Sequence, residues 1–87
     1  MLNIEKAKQD LLNEFLPDFN VTLKNNNKGV ITVTFTDENT HGKVNLKFNE
    51  NTSVTTIAPR EMEKEEFRYG LKEHMNDIKQ ILNESVE

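Results

Sequence analysis

No cysteine and no tryptophan occur among the 87 residues, and only three glycines and two prolines do. Without cysteine, disulfides, thiolate metal sites and cysteine nucleophiles are excluded. The three glycines never fall into the clustered spacing that lets a main chain wrap phosphate, so nucleotide loops of that kind are excluded too. Aromatic residues are 7% of the chain, and none falls at the outward positions of the strands read below, so a sheet platform on which bases stack is not expected. No apolar run approaches the roughly 18 residues that a membrane-spanning helix needs, and no charged-then-apolar leader opens the sequence. A cytoplasmic protein is therefore expected. Positive charge is the scarcer sign: 11 Lys and Arg stand against 15 Asp and Glu, for a net charge of −4. Proteins that hold nucleic acid through its phosphates are usually basic. The acidic balance instead favours a basic protein partner, with no direct nucleic-acid contact and no membrane.

Charged residues make up 30% of the chain and hydrophobic residues 34%, but the apolar positions are periodic. Periodicity predicts folding, and the length predicts one domain, residues 1–87. A domain this small buries only about 60–65% of its unfolded surface, so its stability is modest. Residues 3–16 read as a helix, with Asn3 as its cap and Ile4, Ala7, Leu11, Leu12 and Phe15 at helical spacing. Pro17 ends it.

Alternation then takes over. Phe19, Val21 and Leu23 point one way in residues 19–24; Ile31, Val33 and Phe35 do so in 30–36; Val44, Leu46 and Phe48 do so in 43–48. Asn25 to Gly29, Asp37 to Gly42 and Asn49 to Thr52 are turns. Residues 53–58 form a fourth strand whose Val54 and Ile57 disagree in parity, which suits a bulge or an edge. Turn-linked strands make an antiparallel meander. The fold class is α+β: helix, four-stranded meander, C-terminal helix, with both helices on one sheet face. The other face carries Thr22, Lys24, Thr32, Thr34, Thr36, Lys43, Asn45, Lys47 and Thr55, with no carboxylate among them.

Residues 59–86 read as the last helix, with Pro59 in its first turn. At about 1.5 Å per residue, a continuous helix over 60–85 would reach about 39 Å. A domain of this length spans only about 30 Å. A kink or break near Gly70 resolves the mismatch; a projecting end that meets a second copy is the alternative. At 100° per residue, Phe67, Leu71, Met75, Ile78 and Leu82 share one stripe. Glu66, Glu73, Asp77 and Glu84 share the opposite one, with Arg68, Lys72 and Lys79 along a flank. None of these carboxylates has a basic residue four positions later, although opposite charges there stabilise helices. An acidic stripe without partners suits contact with a basic groove, and Tyr69 beside Arg68 and near Met62 has the composition of an interface.

Chemistry is absent from the motifs. Asp37 to Gly42 begins like a calcium loop, but its twelfth position is Phe48 rather than the required glutamate. His41 and His74 lie far apart in sequence and belong to no metal-binding motif. No serine sits in a nucleophile context. The expectation is therefore no catalytic, cofactor or metal site and no enzyme activity, with Glu66, Arg68, Tyr69, Glu73, Asp77 and Glu84 as partner-binding residues.

In size, acidity, lack of cysteine and helix–strands–helix order, the chain resembles several small phage proteins that inhibit bacterial nucleases, anti-CRISPR proteins among them. That resemblance implies an inhibitor or regulator, from a phage or other mobile element, that docks on a basic, nucleic-acid-binding protein. The same order, with Gly29-Val30-Ile31-Thr32-Val33 in the second strand, is similar to a small nucleoid-associated family that dimerises. It implies the alternative, a homodimeric structural domain.

Overall fold

Alternating apolar residues in three consecutive segments force a sheet with one dry face, and the computed structural model builds it. The structure describes residues 1–15, 18–65 and 70–87. Helix α1 (Ile4–Phe15) precedes strands β1 (Asn20–Asn25), β2 (Val30–Asp37), β3 (Gly42–Asn49) and β4 (Val54–Thr56). A short helix α2 (Pro59–Met62), a 3-10 turn (Lys72–His74) and helix α3 (Met75–Glu84) follow. The strands lie in chain order β1-β2-β3-β4, every pair antiparallel. The molecule measures 33 × 26 × 21 Å.

Val21, Ile31, Val33, Phe35, Val44, Leu46 and Phe48 form the dry face, all fully buried. Ala7, Leu11 and Phe15 of α1 pack on it together with Leu71 and with Ile78 and Leu82 of α3. Each of the larger side chains contributes about 1.5–3 kcal/mol by leaving water, and Ala7 about 1. The Phe15 ring meets Phe35 edge-on, with centroids 5.3 Å apart. Asn3 caps α1 as its residue type predicts: its Oδ1 accepts the Lys6 N–H at 3.1 Å. The asparagine run makes the first turn because its side chains replace main-chain acceptors. Asn25 and Asn26 accept the N–H groups of Asn27 and Lys28, each at 2.8 Å. Gly29 has φ +81°, and a Cβ there would lie 2.5 Å from the Asn51 side chain.

One expectation is met and one changes. The last helix is not continuous: α2 ends at Met62, α3 begins at Met75, and Gly70 has φ +113°, outside helical geometry. The break expected near Gly70 is there, so one 100° rotation cannot be carried from residue 59 to 86. Thr55, expected on the wet face, lies opposite Phe48 and faces the helices. Its Oγ1 is buried with no hydrogen-bond partner among the described residues. Val54 takes the outward position instead and is 53% exposed. The expectations for Leu16, Pro17, Glu66, Phe67, Arg68 and Tyr69 lie outside the described residues.

The ends of the chain are paired. Leu2 and Val86 form a bridge, flanked by Asn3 N–H donating to the Ser85 carbonyl and Glu87 N–H donating to the Met1 carbonyl, each at 2.8 Å. The Leu2 N–H itself donates to the Glu50 carboxylate at 2.7 Å.

Candidate functional site

Three surfaces are available for recognition, and no cavity is found among the described residues. No helix among them is long and apolar enough to cross a membrane.

The first surface is the outer side of the helical layer. Burial of Ile78 and Leu82 fixes the rotation of α3, so Asp77 and Glu84 face solvent. Glu73, in the preceding 3-10 turn, is exposed as well. These three are the members of the acidic stripe that the structure describes; Glu66, Arg68 and Tyr69 lie outside the described residues. The carboxylates are less isolated than the sequence implies. Asp77 Oδ2 lies 3.5 Å from His74 Nδ1, one turn earlier. Glu84 accepts the Gln80 amide at 3.0 Å. Glu14, at the end of α1, brings a further carboxylate to within 3.8 Å of the same His74 nitrogen. The His74 ring stands edge-on to Phe15, with centroids 5.5 Å apart. Sequence reading missed Glu14 because nothing in α1 alone says where it meets the turn before α3. The only signal is its place next to the core residue Phe15.

The second surface is the open sheet face. Its rows run Asn20–Thr36–Lys43, Thr22–Thr34–Asn45 and Lys24–Thr32–Lys47 across the three long strands. Thr34 Oγ1 donates to Asn45 Oδ1 at 2.8 Å, tying two strands together. Lys24, Lys43 and Lys47 are exposed, and no strand residue on this face is acidic. Lysines thus line the sheet while Glu14, Glu73, Asp77 and Glu84 lie in the helical layer.

The third surface is the pair of sheet edges, which are treated unequally. β4 covers only the last residues of β3. Beyond it, the Glu61 carboxylate accepts the Asn45 N–H at 2.8 Å, and Lys64 donates to the Lys43 carbonyl at 2.8 Å. Glu61 and Lys64 also pair with each other at 3.2 Å. Two side chains thereby take the place of a missing strand, a common way to blunt an edge. On the opposite side, β1 is bare. Asn26 N–H donates to the Val30 carbonyl, so even-numbered residues of β1 face β2 and Val21, Leu23 and Asn25 direct their main chain outward. The Val21 N–H is bonded by the neighbouring Asn20 side chain at 2.9 Å. The main chain of Leu23 has no partner among the described residues.

Compared with known proteins, the chain matches no family model, no characterised protein and no solved structure at a significant level, so its reading rests on these surfaces.

Proposed function

We propose that this protein is a non-enzymatic interaction module that docks on a basic, nucleic-acid-binding protein, in the manner of a small inhibitor or regulator from a phage or mobile element. One observation carries the reading: Glu73, Asp77 and Glu84 stand exposed along a segment whose other side, Ile78 and Leu82, is fully buried. A surface held rigid by its own core presents charge at little entropic cost on binding. Complementary charge chiefly raises the association rate and acts furthest at low salt. Replacing Glu73 and Glu84 with Gln and Asp77 with Asn should leave the fold intact. It should weaken capture of a basic protein from host lysate by at least about tenfold at low ionic strength, and by less at high. Binding of the purified partner, measured by calorimetry at two salt concentrations, checks this. Undiminished binding by the triple variant would remove the helical layer from the interface and direct attention to the lysine-lined sheet face.

The bare β1 edge supports a second reading, a homodimer with one continuous eight-stranded sheet. Antiparallel pairing of two β1 strands about Leu23 satisfies the outward main chains. It sets Leu23 against Leu23 of the second copy, Val21 against Asn25, and Lys24 against Thr22 rather than another lysine. Leu23, only part-buried in one copy, would gain cover. Light scattering across a concentration series should then show a dimer, and Leu23→Lys, which sets like charges face to face, should return it to monomer. A wild-type monomer throughout the series removes this reading.

A further inference from the structure

Glu14, His74 and Asp77 bring three ligand-type atoms within 4.8 Å of one another. We propose that they form a divalent transition-metal site, suited to Zn²⁺, that clamps the end of α1 to the start of α3. The site shares Asp77 with the docking surface proposed above, but it does not require that reading.

Distances carry the argument. His74 Nδ1 is 3.5 Å from Asp77 Oδ2 and 3.8 Å from Glu14 Oε1, and neither approach is a hydrogen bond. Two ligands held by one ion at about 2.0–2.2 Å in tetrahedral array stand about 3.3–3.6 Å from each other. The two His74 distances are close to that spacing, and the cluster as a whole spans up to 4.8 Å, so Glu14 and Asp77 would have to draw together slightly around a shared ion. Among the described residues the three side chains make no hydrogen bond to a group outside the cluster; their polar contacts are with one another. Phe15, buried beneath, holds the imidazole edge-on and limits its rotation.

The donor set selects the class of ion. One imidazole nitrogen and two carboxylates offer mixed nitrogen and oxygen ligation, which Zn²⁺ and its neighbours accept and Mg²⁺ or Ca²⁺, served by oxygen alone, do not favour. Three protein ligands leave a coordination position for water. Two carboxylates balance the charge of the ion. The site joins segments sixty residues apart in sequence, so it is invisible to any spacing rule, and the absence of a metal motif in the sequence does not bear on it.

Binding to the folded form alone stabilises it by mass action. The experiment titrates ZnCl₂ into the purified full chain by calorimetry and follows Tm alongside. The expected result is one Zn²⁺ per chain, with Tm raised by about 5 °C or more at saturation. His74→Gln and Glu14→Gln should each weaken binding at least tenfold. Both positions are half exposed, so the variants should fold, and Tm without metal verifies it. His41→Gln, altering the other histidine in its exposed turn, should bind as wild type does. Co²⁺ should give visible absorption bands that His74→Gln abolishes. No Zn²⁺ binding by the wild type, or binding that His74→Gln leaves intact, overturns the proposal. Because Glu73 and Glu84 are untouched by these variants, failure of the metal site and failure of the docking surface are separate results.

Discussion

Replacing Phe35 with alanine should lower the unfolding free energy by about 3–5 kcal/mol. Phe35 lies in an internal strand, has no exposed surface, and meets the Phe15 ring edge-on at 5.3 Å. Its removal would open a void where the sheet meets α1, and paired strands on both sides of β2 restrict how far the backbone can move to fill it. At about 0.05–0.15 kcal/mol per residue, a domain of this length has about 4–13 kcal/mol in all. The loss is therefore a large share of the total, and at the lower end of that range the variant would be unfolded at room temperature. Urea denaturation followed by circular dichroism measures it, and Phe35→Leu, which keeps most of the volume, should lose much less. A loss under about 1 kcal/mol for Phe35→Ala would mean that α1 does not pack against the sheet at Phe35.

The second large effect is expected at Gly70. Its φ of +113° lies in a region that side chains of L configuration rarely adopt, while no atom of the described residues stands within 4 Å of where a Cβ would lie. The cost of Gly70→Ala is thus conformational and not steric. Strain of about 1–3 kcal/mol in the folded state outweighs the roughly 0.4–1 kcal/mol gained by stiffening the unfolded chain. Thermal unfolding should show a net loss, and D-alanine, for which positive φ is ordinary, should recover most of it. If L-alanine is neutral, the break between α2 and α3 does not depend on Gly70.

That break also explains where the sequence could be read and where it could not. Gly70 was legible as a weak point because helix length and domain diameter conflict. The rotation beyond it was not, because a residue at φ +113° resets the phase of everything that follows. The stripe drawn through Glu73, Asp77 and Glu84 therefore cannot be extended back across Gly70 by counting 100° per residue. The three long strands were legible from period two, since each has several inward residues to vote with. β4 has three residues, and Thr55 was assigned to the wrong face because so short a segment does not fix its own parity. The Asn3 cap and the asparagine turn were legible because they are local chemistry. The Glu61–Lys64 cover over β3 and the meeting of Glu14 with His74 were not. Both depend on how distant segments pack, and a single sequence carries no direct sign of that.

The pairing of Leu2 with Val86 has a topological consequence. Residues 1 and 87 leave the molecule from one corner, and a few linking residues would make the chain a ring without disturbing the sheet. Closing a loop of this length costs entropy that grows only with the logarithm of its size, so the two ends can meet late, after the meander has formed. Anything fused to one end will sit beside anything fused to the other, and Glu50, whose carboxylate holds the Leu2 N–H, is the anchor that tells that corner where on the sheet to settle.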